Sequence, residues 1–166
     1  MNRFLNKYGL LLVLLVANAA FFVLVSLILD IRFEENDDVM MCLIANGNYS
    51  GNPDCHLVFQ NALWGSLLST LYSWTTSIEW YSLLLSIVQV IALTIIVNIC
   101  IQKQKSNRLL LVVALLCMYS IWAVTIQSFQ FTTTSALLCI AGCLLLLKSA
   151  NEAIWGGGIW LFSYQR

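Results

Sequence analysis

Residues 8–29 read YGLLLVLLVANAAFFVLVSLIL and contain no charged side chain. A helix needs roughly 20 mostly apolar residues to cross the hydrocarbon core of a bilayer. The stretch is too long for the apolar core of a signal peptide, and no small-x-small cleavage motif with a soluble domain follows it. It predicts a retained membrane-spanning helix near the start of the chain.

The composition of the whole chain indicates the same class of protein. Hydrophobic residues make up 60% of the 166 positions, charged residues make up 10%, and the mean hydropathy is +0.84. Soluble domains are about 45–50% apolar and about 25% charged. Eight basic and eight acidic residues cancel, which leaves no cationic excess for nucleic acid. The composition excludes a disordered chain, a nucleic-acid binder and an ordinary cytosolic enzyme, and predicts an all-α polytopic membrane helix bundle.

Further apolar stretches set the predicted topology of a single membrane domain over residues 1–166. The predicted spans are 8–29, 80–101, 109–129 and 133–147, with a partial fifth at 154–162. If the four full spans alternate in direction, six cations fall on one side of the membrane: Arg3, Lys7, Lys103, Lys105, Arg108 and Lys148. Lys and Arg are enriched in short cytoplasmic loops, so this side, with the N-terminus, is predicted to be cytoplasmic.

Residues 30–79 connect the first two predicted spans and should lie on the outer side. They contain seven of the eight acidic residues. Within them, residues 56–74 carry apolar side chains at helical spacing, interrupted by polar ones, which predicts an amphipathic helix in the outer membrane interface. A sixth crossing by the same residues is the alternative. It would place the cations that follow the second span opposite those at the N-terminus.

An acidic cluster follows the first span. Glu34, Glu35, Asp37 and Asp38 place four carboxylates within five positions. Oxygen ligands of this kind bind divalent cations, with Asp37 and Asp38 as the first candidates. One carboxylate could also serve as a general base with a raised pKa. The alternative is a solvated acidic loop with no chemical role.

His56 and two cysteines are the other reactive groups of the outer segment. His56 is the only histidine, and it could carry a proton, bind a metal or simply cap the following helix. Cys42 and Cys55 are a candidate disulfide, because such bonds persist outside the cytoplasm. A thiol-redox protein that uses these two cysteines is a weaker alternative. The outer segment has no C-x-x-C motif of the kind that a thiol-oxidising quinone enzyme requires.

The predicted spans contain few polar residues. Gln89 and Asn98 in the second span are expected to hydrogen-bond between helices. No Asp, Glu, Lys or Arg lies deep within the four full spans. Because buried ionisable residues mark ion and proton pathways, their absence from these spans argues against such a pathway in the sequence.

Four segments occur in an order that resembles a known family. They are residues 36–41 (NDDVMM), 44–56 (IANGNYSGNPDCH), 78–81 (IEWY) and 129–136 (FQFTTTSA). Over about residues 8–147 this order resembles the N-terminal part of bacterial multi-spanning membrane proteins related to GT-C-type glycosyltransferases. None of the four segments is diagnostic by itself.

The resemblance implies a function at the outer face of a bacterial cytoplasmic membrane. GT-C enzymes take sugars from polyprenyl-phosphate donors, and their first outer loop carries an essential acidic residue. Asp37 and Asp38 match that acidic motif, with Glu34 and Glu35 as further candidates, and His56 is expected near the same cleft. Some branches of the family require a divalent cation and others do not.

The chain departs from the family in length. GT-C enzymes are several hundred residues long, whereas this sequence stops at Arg166, inside its fifth apolar stretch. The expectation is an N-terminal fragment that lacks the later cations for the donor phosphate, or a chain completed by a partner membrane protein. The alternative is a small non-enzymatic membrane subunit that docks another protein. It predicts sensitivity to changes on the apolar face around Trp64 and Leu68.

Overall fold

The computed structural model describes the backbone of residues 2–103 and 107–163, and the side chains of residues 9–103 and 107–150. The described helices are α1 (Asn2–Ile28), α2 (Asn36–Ala45), α3 (Ala62–Trp74), α4 (Trp80–Lys103), α5 (Arg108–Gln127) and α6 (Phe131–Ser163). Two strands of two residues each are described, β1 (Arg32–Phe33) and β2 (Ser128–Phe129). The predicted all-α class is confirmed.

Four of these helices are long and apolar enough to cross a membrane. The membrane-length segments are Gly9–Ile28, Trp80–Lys103, Arg108–Gln127 and Phe131–Ala150. At about 1.5 Å per residue, 20 residues extend over about 30 Å, the thickness of the hydrocarbon core. The architecture is therefore that of a multi-pass membrane protein. Residues 154–162, predicted as a partial fifth span, continue helix α6 without a turn, and their side chains lie outside the described part.

Helix α4 is at the centre of the bundle. Half of its spanning window is buried, against 11% for each of the other three spans. Gln89 connects it to two neighbours, because its Nε2 donates to Thr134 Oγ1 of α6 at 2.9 Å and its Oε1 accepts from Trp122 Nε1 of α5 at 3.1 Å. Asn18 Nδ2 of α1 donates to Thr94 Oγ1 of α4 at 2.9 Å. These hydrogen bonds attach three spans to α4 through otherwise apolar contacts.

The two polar residues predicted to bond between spans behave differently. Gln89 is fully buried and bonds to α5 and α6, as predicted. Asn98 instead accepts from Gln102 Nε2 of the same helix at 2.9 Å. Gln102 in turn accepts from Lys148 Nζ of α6 at 2.6 Å. The link between α4 and α6 therefore comes from Gln102 one turn beyond Asn98.

Strands β1 and β2 pair in parallel and join two distant parts of the chain. Arg32 is opposite Ser128 and Phe33 is opposite Phe129. The pairing places the segment after α1 beside the α5–α6 connection, so both lie at the same end of the bundle. We call this end, formed by residues 30–79 and 128–130, the acidic end. If the four spans alternate in direction, the connection after the first span and the connection after the third must lie at the same end, as they do here.

Helix α3 is the amphipathic helix predicted from the sequence, but it begins six residues later than expected. Asn61 caps it, since its Oδ1 accepts from Leu63 N at 2.9 Å. Thirteen residues extend over about 20 Å, too short for a crossing, so the sixth-span alternative is not the observed structure. One face buries Gly65, Leu68 and Tyr72. Large apolar side chains on the rest of α3 are exposed: Leu63, Leu67 and Trp74.

Candidate functional site

The acidic cluster is divided by the start of helix α2. Helix α2 begins at Asn36, with Glu35 at its N-cap and Asp37 and Asp38 in its first turn. Successive residues on a helix point about 100° apart. Asp38 therefore faces the bundle and is fully buried, whereas Asp37 is exposed. Both carboxylates lie where the partial positive charge of a helix N-terminus stabilises an anion.

Asp38 connects α2 to the first turns of two spanning helices. Its Oδ1 accepts from the Tyr81 hydroxyl of α4 at 2.6 Å and from the Phe131 backbone N–H of α6 at 3.0 Å. Its Oδ2 is buried without a hydrogen-bond partner among the described residues. Burial raises the pKa of the Asp38 carboxyl, and this outweighs the two hydrogen bonds, which lower it.

The bond to Phe131 has a simple origin in helix structure. The first N–H groups of any α-helix lack a partner within the helix. Asp38 supplies one of these partners to α6 from 93 positions earlier in the sequence. This bond and the one to Tyr81 hold the start of α2 against the first turns of α6 and α4.

A second polar cluster lies one turn further along α2. Cys42 is on the same face as Asp38, and its thiol donates to Glu79 Oε2 at 3.4 Å. The Tyr72 hydroxyl donates to the same Glu79 oxygen at 3.3 Å and accepts from the Tyr81 backbone N–H at 3.1 Å. This cluster joins α2, α3 and the start of α4. Burial raises the pKa of the Cys42 thiol to about 11, so Cys42 is a neutral thiol near pH 7.

The candidate disulfide is absent. Cys42 and Cys55 are both free thiols, with Cys42 buried beside Tyr72 and Cys55 half-buried beside His56. The reason is that Cys42 faces inward with the buried side of α2, whereas Cys55 lies in the turn before α3. The two sulfur atoms therefore belong to separate clusters.

Three carboxylates of the acidic cluster remain free. Among the described residues, no side-chain hydrogen bond or ion pair involves Glu34, Glu35 or Asp37, and all three side chains are exposed. Glu34 lines an open polar cleft of about 380 Å³ together with Arg32 and Gln127. A divalent cation bound jointly by Asp37 and Asp38 does not fit this arrangement, because Asp38 is turned into the protein.

Arg32 lies between two cleft regions of different polarity. Besides the polar cleft, it lines a crevice of about 220 Å³ whose walls include Phe22 and Phe129 together with Ser82 and Ser86. Its guanidinium pairs with Asp30 at 3.1 Å in an exposed position. Exposed pairs of this kind contribute little to stability, so the guanidinium is free to exchange partners.

Among the hydrogen bonds of the described residues, His56 pairs with Asp54 and not with the acidic cluster. Its side chain is 83% exposed, and its Nδ1 lies 2.7 Å from Asp54 Oδ1. The His56 backbone N–H donates to the same oxygen at 2.9 Å, and this bond is the first cause that lowers the pKa of Asp54. None of the hydrogen bonds found in the described residues connects His56 with Asp37 or Asp38. The hydrogen bonds of the described residues therefore group His56 with Asp54 and Cys55, and the expected proximity of His56 to Asp37 and Asp38 stays a prediction.

Three residues important to the site were not singled out from the sequence. They are Tyr72, which lies within the predicted amphipathic helix, and Glu79 and Tyr81, which lie within the segment 78–81. A sequence clue does exist, since Asp38 and Cys42 are four residues apart and so lie on one face of any helix. The partners of that face, however, are set by contacts between segments that are distant in the sequence.

No protein-family model, curated protein or solved structure matches the chain, so the GT-C resemblance remains a hypothesis.

Proposed function

We propose that this chain is a GT-C-like glycosyltransferase module that moves a sugar from a polyprenyl-phosphate donor. In this proposal, the acidic end lies at the outer face of a bacterial cytoplasmic membrane and the N-terminus is cytoplasmic. The observation that carries the proposal is that the two adjacent aspartates of α2 have different environments. Buried Asp38 anchors the helix to two spans, and exposed Asp37 is held next to it at the end of the bundle.

Asp37 is the proposed general base. A base must come within hydrogen-bond distance of the proton that it removes, and an exposed carboxylate can do this without opening the protein. Asp37 takes the proton of an acceptor hydroxyl, whose oxygen attacks the anomeric carbon of the donor sugar. The bond from that carbon to the phosphate oxygen breaks, and polyprenyl phosphate leaves with the electron pair. Asp38 acts as a positioning residue.

The surroundings of Arg32 suit an amphipathic donor. A polyprenyl phosphate combines a long apolar chain with an anionic head. Arg32 lines both an apolar crevice and a polar cleft, and a guanidinium binds phosphate through a planar fork of donors. The acidic end carries many carboxylates, which repel a phosphate. A divalent cation held at the polar cleft by the exposed Glu34 carboxylate would offset that repulsion.

The decisive experiment compares Asp37→Asn with Glu35→Gln. Glu35 is also exposed near the start of α2 and makes no side-chain cap, which makes it a matched control. Host membranes that contain each variant, together with any partner chain, are supplied with labelled polyprenyl-phosphate sugars. We expect Asp37→Asn to lower transfer at least about 100-fold, the scale of general-base catalysis, while Glu35→Gln retains it. Protein amount and thermal stability should be unchanged in both.

Retention of transfer by Asp37→Asn would contradict the proposal. The non-enzymatic alternative then has its own test. The docking face predicted from the sequence was the one around Trp64 and Leu68, but the exposed apolar side chains of α3 are others. Leu68 is buried and Trp64 is half-buried, whereas the exposed apolar side chains of α3 are Leu63, Leu67 and Trp74. Loss of the cellular phenotype in a Leu63→Ser, Leu67→Ser double variant, with Asp37→Asn normal, would indicate a docking subunit.

A further inference from the structure

The turn before α3 brings together three different metal-ligating atoms outside the proposed sugar-transfer site. Asp54 offers a carboxylate oxygen, Cys55 a sulfur and His56 a ring nitrogen, and these atoms lie within 4.8 Å of one another. Nothing in the proposed transfer chemistry uses them. The combination of oxygen, sulfur and nitrogen donors is typical of zinc and differs from the all-oxygen sets that magnesium and calcium prefer.

One spacing among these atoms matches that of a tetrahedral zinc site, and a second is shorter. With Zn–S near 2.3 Å and Zn–N near 2.0–2.1 Å, tetrahedral angles separate sulfur and nitrogen by about 3.6 Å. The Cys55 Sγ to His56 Nδ1 distance is 3.6 Å. The Asp54 Oδ1 to His56 Nδ1 distance is 2.7 Å, that of a hydrogen bond. A metal would replace the bridging proton and require the oxygen to move by about 0.7 Å.

The backbone that carries the three ligands is held in place by its neighbours. The Asp54 N–H donates to Ile44 O at the end of α2, at 3.2 Å. The Cys55 carbonyl is pressed against Gly65 of α3, where an added Cβ would lie 1.9 Å from the carbonyl oxygen. The ligand-bearing turn is thus fixed between two helices, which lowers the entropic cost of ordering a site around a metal.

We propose that Asp54, Cys55 and His56 bind a zinc ion, with water in the fourth position. The exposure of the His56 side chain leaves that position open to solvent. On binding, the Cys55 thiol loses its proton to solvent and coordinates as a thiolate, and the imidazole coordinates as a neutral ring. The bound metal would hold the α2–α3 turn against α3. This inference does not depend on the proposed glycosyltransferase activity.

The test uses cobalt as a spectroscopic probe on the full chain, purified in detergent without a histidine tag and under reducing conditions. The background variant carries Ala at the four cysteines of the spans, Cys100, Cys117, Cys139 and Cys143. We expect Co²⁺ to produce a thiolate-to-cobalt charge-transfer absorption with a stoichiometry of one, and Zn²⁺ to abolish it. Zinc should also raise the melting temperature, because a ligand that binds only the folded state stabilises it.

Three variants locate the site. Cys55→Ser should remove the absorption, and His56→Ala and Asp54→Asn should each weaken cobalt binding at least about tenfold. Cys42→Ser is the matched control: its thiol is buried beside Tyr72, so it should leave the absorption unchanged. Circular dichroism checks that each variant keeps its helical content. An absorption that persists in Cys55→Ser, or its absence from the background chain, would overturn the proposal.

Discussion

Asp37 and Asp38 show how adjacent residues of one type acquire different roles. Asp38 is turned into the protein, where Tyr81 and the first turn of α6 hold one of its oxygens. Asp37 is exposed and has no side-chain hydrogen bond among the described residues. The expected consequences of removing each carboxylate therefore differ in kind. Loss of Asp38 affects the fold, and loss of Asp37 affects chemistry at the surface.

Replacement of Asp38 by alanine should destabilise the protein by about 2–3 kcal/mol. The change leaves the buried Tyr81 hydroxyl and the partly buried Phe131 N–H without their acceptor, and each unsatisfied group is costly. Asp37→Ala, one position earlier on the same helix turn, should change stability by less than about 0.5 kcal/mol. Thermal unfolding in detergent measures both. Equal losses in the two variants would show that Asp38 is not the anchor of α2.

Titration of Asp38 should make the stability of the protein depend on pH. Burial raises the pKa of its carboxyl, so the folded chain holds this proton more tightly than the unfolded chain does. The free energy of unfolding should then decrease as the pH rises from the ordinary Asp range through the raised pKa. Asp38→Asn cannot titrate and should flatten this slope, whereas Asp37→Asn should keep it. The measurement is the melting temperature of each variant from about pH 4, near the ordinary pKa of an Asp carboxyl, to about pH 8.

Among the helices, α3 depends on one close contact with the turn that precedes it. Gly65 lies on its buried face, next to the backbone of Cys55. Leu68 and Tyr72 follow on the same face and pack in the core cluster that includes Met41 of α2. This contact sets how closely α3 approaches the end of the bundle. It also determines where the turn presents Asp54 and His56.

Gly65→Ala should therefore destabilise the acidic end. A Cβ at this position would lie 1.9 Å from the Cys55 carbonyl oxygen, and a backbone atom cannot rotate away as a side chain can. Overpacking of this kind costs about 1–3 kcal/mol. Gly142→Ala in α6 is the control, because no atom beyond its chain neighbours and the adjacent backbone of its own helix lies within 4 Å of the added Cβ. Thermal unfolding in detergent compares the two, and an unchanged melting temperature for Gly65→Ala would contradict the tight contact.

Charge is distributed unevenly between the two ends of the whole bundle. Lys103 at the end of α4, Arg108 at the start of α5 and Lys148 of α6 lie toward the end opposite the acidic end. Lys148 also bonds to Gln102 of α4 there. Arg32 is a cation of the acidic end, where it pairs with Asp30. This arrangement, combined with the preference of Lys and Arg for the cytoplasmic side, favours a cytoplasmic N-terminus.

Cysteine labelling of the intact protein tests that orientation. With Cys55 as the only cysteine, a membrane-impermeant maleimide should label intact host cells, provided that a chelator is present to free the thiol. Lys103→Cys in a cysteine-free chain should react only after the membrane is opened, because this exposed position lies at the opposite end. The reverse pattern would place the acidic end in the cytoplasm. The proposed use of a donor at the outer face would then fail.

Several features of the fold could be predicted from sequence because they depend on patterns along the chain. A run of 20 apolar residues needs a membrane whatever its neighbours are, so the four spans were predicted to within a few residues. Helical spacing likewise predicted the amphipathic α3, although its start was misplaced because residues 56–61 have apolar members but form a turn. Two-residue strands such as β1 and β2 are too short for any periodic pattern.

The composition and order of residues determined the membrane class, the number of long apolar helices and the concentration of carboxylates in one connecting segment. Tertiary contacts decided which carboxylate is buried, and that Cys42 bonds to Glu79 instead of Cys55. The physical reason is the range of the interactions. Hydropathy and charge act at each position along the chain, whereas the environment of Asp38 depends on Tyr81 and Phe131, 43 and 93 positions away.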